Sequence, residues 1–258
     1  MPKPSDKALL LDLNGVLYTD EHLLPGAVEA VQLLQEHNIR HLYLTNNTTE
    51  SRQTMANRLQ SMGLAIEASA IMSPLEACQD WLRANQIESI HPVVSEQVRP
   101  EFQDWRLDHS QPQAIIIGDI GERWNYPIMN HLFAMAVYGA EILALHKGRY
   151  WQKDDALHLD IGAFVQGLEY AAGKKALVMG KPAPLFFQQA LQRLGSSASQ
   201  TVMFGDDIHD DIAGAQDAGL QGVLVQSGKY RPAALHASGI VPDGILESIA
   251  DLPRWLGV

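Results

Sequence analysis

Cysteine is nearly absent from this chain of 258 residues, and Cys78 stands alone. That excludes a disulfide scaffold and any zinc site built on cysteines. Positive charge is also scarce: 19 Lys and Arg face 30 Asp and Glu, a formal charge of −11. Such a chain is not expected to bind nucleic acid non-specifically or to adhere to an anionic membrane, since both need a basic surface. No apolar run approaches the ~18–20 residues of a membrane span. The opening, Met1 to Lys7, is too short and too polar for a signal peptide, and the apolar run Ala8–Leu11 stops at Asp12. The expected compartment is the cytosol. No internal repeat, low-complexity tract or H-E-x-x-H spacing is present. With 46% hydrophobic residues the composition is that of a folded globular chain.

What is present is alternation. Ala8-Leu9-Leu10-Leu11 reads as a buried parallel strand that empties into Asp12-Leu13-Asn14-Gly15. A helix is expected over Pro25–Gln35, then a strand at His41–Leu44 ending in Thr45-Asn46-Asn47. Ser73-Pro74-Leu75-Glu76 is a capping-box pattern that opens another helix. A separate α/β stretch follows, with strands expected at Pro92–Val94, Ala114–Ile117 and Glu141–Leu145, and helices over Trp124–Tyr138 and Ala163–Ala172. His146 to Gly162 reads as one long polar loop. Alternation resumes with a strand at Ala176–Met179, a helix over Pro184–Leu194, a strand at Gln200–Phe204, a helix over Asp210–Gly219 and a strand at Gly222–Val225. The order predicts an α/β, Rossmann-like doubly wound parallel sheet with an inserted α/β domain. The core is expected over 1–78 and 176–258, and the insertion over 79–175.

In open α/β sheets ligands bind beyond the carboxyl ends of the strands. Four such ends carry Asp12, Thr45, Lys181 and Asp206: a carboxylate nucleophile, a hydroxyl donor, a fixed cation and a second carboxylate. That set suits phosphoryl transfer, which rests on positioning and charge stabilisation. Paired carboxylates on adjacent strand ends also suit Mg²⁺, a hard cation that prefers oxygen.

Asp12-Leu13-Asn14-Gly15-Val16-Leu17-Tyr18 resembles the first motif of the haloacid dehalogenase-like hydrolase superfamily. Thr45-Asn46-Asn47 resembles the second, Gly180-Lys181-Pro182 the third, and Gly205-Asp206-Asp207-Ile208-His209-Asp210-Asp211-Ile212 the fourth. The long insertion between the second and third is similar to subfamily IIA, with its large α/β cap. His146-Lys147-Gly148-Arg149-Tyr150-Trp151 looks most like the branch that contains the phospholysine phosphohistidine inorganic pyrophosphate phosphatase. The resemblance implies a Mg²⁺-dependent phosphatase that works through an aspartyl-phosphate on Asp12. Thr45 and Asn46 would hold the transferring oxygens, and Lys181 would neutralise charge. Asp12, Asp206 and the carbonyl of Asn14 would bind the metal, with Asp211 in support. Lys147 and Arg149 would read the leaving group from the cap. The expected partner is a small phosphorylated substrate, with a homodimer as one option for assembly.

Position 14 departs from the family pattern. Most phosphatases of the superfamily carry Asp there to protonate the leaving group, and Asn14 cannot exchange a proton. General acid–base catalysis contributes ~10²–10⁴-fold, so a slow enzyme or one restricted to good leaving groups is expected. The rival reading is a catalytically silent phosphate-binding or regulatory protein. A phosphotransferase is a third. Taken singly, the residues have plainer readings: Thr45-Asn46-Asn47 as a helix cap, the acidic group at 206–211 as a solvated helix start, and Ser227-Gly228-Lys229 as a turn. Asp207 and Asp210 stay undecided, and Cys78 reads as a small buried hydrophobe.

Overall fold

The computed structural model describes residues 7–153 and 156–258, and the side chains of 151–157 lie outside the description. The opening residues read above against a signal peptide and the side chain of Trp151 therefore fall outside the described residues. Among the described residues, no helix is long and apolar enough to cross a membrane.

The apolar run at the start becomes the buried strand Ala8–Asp12. A parallel strand covered on both faces has no polar side to show. It pairs with His41–Leu44 on one flank and with Thr201–Gly205 on the other. The six-stranded sheet runs Ile71–Met72, His41–Leu44, Ala8–Asp12, Thr201–Gly205, Gln221–Val225, Gly244–Leu246, with every pair parallel. In chain order that is 3-2-1-4-5-6, the doubly wound arrangement. On one face Leu9, Leu11 and Phe204 pack with Val31 and Leu34 of the helix Ala27–Glu36 and with Leu59 of the helix Arg52–Ser61. Leu224 points the other way along its strand and packs with Ile208 and Ile212.

The inserted stretch builds its own parallel sheet, in the order Arg106–Leu107, Ser89–Val93, Ala114–Ile117, Glu141–Ala144, Leu177–Val178. In chain order this is 2-1-3-4-5, the other common doubly wound arrangement. Ile115, Ile117 and Ile142 pack with Leu132 and Met135 of the helix Tyr126–Val137 and with Val165 and Leu168 of the helix Gly162–Ala172.

The chain divides into two compact units. One comprises the chain up to Thr45, Arg52–Met72 and Lys181–Val258; the other comprises Asn46–Ser51 and Ser73–Gly180. These limits differ from 78 and 176 for identifiable reasons. The helix Pro74–Ala84 is one hydrogen-bonded body, opened by Ser73 Oγ accepting from Leu75 N at 3.1 Å and by Glu76 accepting from Ser73 N at 2.9 Å, so a limit at 78 would cut it. The strand expected to resume the core, Leu177–Val178, pairs instead with Glu141–Ala144 in the second sheet.

Two further expectations need correction. His146 to Gly162 is not one open loop, because Tyr150–Lys153 and Ala156–Leu159 pair as an antiparallel hairpin. The helix expected from Asp210 starts at Ile208 as a π-helical segment through Ala213 and continues as an α-turn over Gly214–Asp217. Asp207 caps it, and its side chain accepts from His209 N at 2.9 Å and Asp210 N at 3.0 Å.

Candidate active site

The switch point of the six-stranded sheet lies between its first and fourth strands, where successive connections leave in opposite directions. Those strands are Ala8–Asp12 and Thr201–Gly205. Asp12 ends the first, and Asp206 follows the fourth. The π-helical winding makes Ile212 N bond to Asp207 O at 3.2 Å, one residue beyond α spacing. Within that turn Asp211 accepts from Asp207 N at 3.1 Å. Lys181 donates to Asp12 Oδ1 at 2.5 Å and to Asp211 Oδ1 at 2.6 Å. All four groups are buried, with Asp12 the most accessible at 6%.

Oxygens of Asp12, Asp206 and Asp211 lie within 4.8 Å of one another. Three carboxylates stand against one ammonium, so the fully ionised cluster carries two negative charges in excess. Burial, then repulsion from Asp211 and Asp206, pushes Asp12 up to about 8 despite Lys181. Burial and Asp211 push Asp206 to about 6, against the pull of the Lys229 backbone N–H. Burial alone would lower Lys181, but Asp12 and Asp211 outweigh it and hold the ammonium charged. A divalent cation fits this set: the donors are all oxygen, they converge, and their excess charge equals its own.

Backbone without side chains makes room for the cluster. Gly15 has φ +95°, and a Cβ there would collide with the Asp206 carboxylate. Gly228, at φ +52°, would meet the same carboxylate, and Gly205 would meet Asp211. Lys229 N donates to Asp206 Oδ2 at 2.6 Å, and Ser227 Oγ donates to Gly15 O at 2.5 Å. The segment Ser227-Gly228-Lys229, read from sequence as a turn, is therefore a wall of the site. Its legible signal was a Gly three residues past a strand end.

The other candidates are placed as follows. Thr45 is buried at the end of its strand, and its N–H donates to Met72 O at 3.1 Å. The Asn14 side chain is exposed. Asp207 works as the cap, with Lys229 Nζ 3.4 Å from its Oδ2. Burial, reinforced by Asp207, raises Asp210 to about 6. Asn46, Lys147 and Arg149 belong to the second unit. Lys147 is paired with the buried Glu169 at 2.7 Å, and Arg149 is exposed. Cys78 is buried on the helix Pro74–Ala84, where desolvation holds its thiol protonated.

Residues 9–107 match the family model described as haloacid dehalogenase-like hydrolase, and residues 178–252 match a second HAD-hydrolase-like model. The chain is 39% identical over 227 residues to the haloacid dehalogenase-like hydrolase domain-containing protein 2 of Bos taurus, covering 88% of this chain and 86% of that protein. It is 36% identical over 251 residues to the phospholysine phosphohistidine inorganic pyrophosphate phosphatase of Rattus norvegicus, covering 95% and 92%. The solved structure of a p-nitrophenyl phosphatase from Archaeoglobus fulgidus superposes with a TM-score of 0.89 at 24% identity, over 97% and 99% of the two chains. The chain therefore belongs to the haloacid dehalogenase-like hydrolases and is an enzyme of that family, with a doubly wound core and an inserted α/β unit.

Proposed function

We propose that the protein is a cytosolic Mg²⁺-dependent phosphatase with Asp12 as its nucleophile. The observation that carries this reading is Lys181, buried and hydrogen-bonded to both Asp12 and Asp211 beside Asp206. An oxygen of Asp12 bonds to phosphorus as the bond to the leaving group breaks, and the leaving group takes a proton. Water then attacks the same phosphorus, the bond to Asp12 breaks, and phosphate departs with the carboxylate restored. Lys181 orients Asp12 and offsets the charge gathering on the phosphoryl oxygens. The Thr45 hydroxyl sits at the end of the neighbouring strand as a donor to those oxygens. A Mg²⁺ ion held by Asp12, Asp206 and the Asn14 carbonyl, with Asp211 in support, would supply further positive charge. The inserted unit then serves as the cap that selects the substrate.

Asn14 sets the scope of the reaction. Its amide cannot give the leaving group a proton. Pyrophosphate, acyl phosphates and aryl phosphates, which leave well unaided, fit better than alkyl monoesters. The same residue favours the second reading, a silent phosphate-binding protein.

Hydrolysis of p-nitrophenyl phosphate and pyrophosphate, with Mg²⁺ and with EDTA, separates the two readings. The phosphatase reading expects Mg²⁺-dependent turnover that Asp12→Asn abolishes. Binding of inorganic phosphate with no turnover of either compound would support the silent protein instead. Asn14→Asp is expected to raise turnover of an alkyl phosphate about tenfold or more, a fraction of the ~10²–10⁴-fold that a well-placed general acid contributes. An unchanged rate in folded, Mg²⁺-loaded variant would remove Asn14 from the account.

A further inference from the structure

The second sheet lacks one of its expected helices. In a 2-1-3-4-5 sheet the connections from strand two to three, three to four and four to five travel in one direction with one hand, so they lie on one face. The helices Tyr126–Val137 and Gly162–Ala172 fill the last two places. The first place, between Arg106–Leu107 and Ala114–Ile117, holds only the loop 108–113. That leaves the strand Ser89–Val93 uncovered on this face. Its residues His91 and Val93 are half-buried there, and Val93 packs on the core that contains both helices. The gap is a pocket of about 250 Å³ whose lining includes His91, His109, His131, Arg99, Arg123 and Glu96.

We propose that this gap binds a divalent transition-metal ion through His91, His109 and His131. The Nδ1 atoms of His91 and His109 are 3.0 Å apart. Two nitrogens bound at ~2.0–2.1 Å to one ion sit ~2.9 Å apart at a right angle and ~3.4 Å apart at a tetrahedral angle. The two rings stand at 88° with centroids 5.1 Å apart, and His131 presents its ring to His91 at 80° and 5.3 Å. His131 is exposed on its helix, and its ring would complete the set by turning toward the pair.

The pair itself is held in place. His109 lies in a turn fixed by Asp108 Oδ1, which accepts from Ser110 N and Gln111 N at 2.9 Å each. Arg123 and Arg99 are paired with Glu96 at 3.3 and 4.0 Å, which mutes their charge toward an incoming cation. Imidazoles select Zn²⁺, Cu²⁺ and Ni²⁺ over Mg²⁺. The pocket and the aspartate cluster share no residue, so the two would sort hard from borderline ions. Bound metal would tie the strand, the short loop and the helix together where the missing helix leaves them unconnected.

The test is a Zn²⁺ titration of the full chain with Mg²⁺ present, following the imidazole resonances by NMR and the affinity by calorimetry. The rings of His91, His109 and His131 should shift together and saturate at micromolar Zn²⁺, ahead of His22 and His37. His109→Ala and His131→Ala, both at exposed positions, should each weaken this binding by about tenfold or more. Hydrolysis supported by Mg²⁺ should stay as in the unsubstituted protein. If the three rings respond only at millimolar Zn²⁺, or both variants keep affinity within about twofold, the proposal fails. The pair is then only a hydrogen bond between two imidazoles.

Discussion

The molecule contains two doubly wound parallel sheets that use their charges in opposite ways. At the switch point of the six-stranded sheet, three buried carboxylates crowd one buried lysine. The second sheet keeps most of its ion pairs half-exposed, as in Arg123–Glu96 and Lys174–Glu141, and its nearest parallel is Lys147 on the buried Glu169. Buried carboxylates with too little counter-charge oppose folding unless something binds them. Exposed pairs contribute little either way. The first sheet therefore holds excess charge that a cation could offset, and the second can stand without one.

The largest expected contrast comes from removing one lysine in each unit. Lys181→Met leaves Asp12 and Asp211 buried without their partner, and should destabilise the cation-free protein by about 3–5 kcal/mol. Hydrolysis should fall by about 10²–10³-fold or more. Lys147→Met leaves Glu169 with Lys175 at 3.5 Å and the Ala176 N–H at 2.9 Å, so its expected loss is about 1 kcal/mol. Chemical denaturation in EDTA measures both. Equal losses would erase the contrast.

A smaller contrast separates two glycines. Gly15 and Gly139 both have positive φ, +95° and +114°, so alanine is strained at either by about 1–3 kcal/mol. Nothing lies within 4 Å of a Cβ at Gly139, whereas Asp206 blocks one at Gly15. Gly15→Ala should lose Mg²⁺-dependent activity together with stability, and Gly139→Ala should lose stability alone. Thermal melts paired with p-nitrophenyl phosphate assays decide this. Full activity in Gly15→Ala would show that the carboxylate can move aside.

The last contrast is a dependence on pH. Asp12 near 8 and Asp206 near 6 both lie above the unfolded value of 3.8. Between about pH 4 and 8 the folded chain then holds more protons than the unfolded one, so these groups lower stability as pH rises through that window. Mg²⁺ competes with those protons. The rise in melting temperature on adding Mg²⁺ should therefore grow from pH 5 to pH 8. A rise that is level across this range would place the ion elsewhere.

Much of the site could be read from the chain because strand ends are easy to see. Asp12 and Asp206 each follow an apolar run, and a doubly wound sheet gathers such ends at one edge; Lys181 follows one too, but that run pairs in the second sheet. What escaped was set by partners distant in sequence. Ile71–Met72 and Gly244–Leu246 are too short to show periodicity and are strands only because a neighbour is there to pair with. Leu177–Val178 looks like a core strand in isolation, and only its register with Glu141–Ala144 assigns it to the second sheet. Glu169, buried and paired with Lys147, lies inside a helix and carries no local mark of that role.

The pairing of Ala8 with Thr201 has a consequence for how the chain is made. A ribosome adds ~5–20 residues each second, so the central strand waits about 10–40 s for one of its two neighbours. Ser73–Gly180 emerges meanwhile as an unbroken stretch and can fold during the delay. Leu9, Leu10 and Leu11 spend that interval with one edge open, a template for pairing with other chains. Crowded expression should therefore lose this protein to aggregation through its first strand, before Asp206 and Asp211 of its candidate cluster have been synthesised.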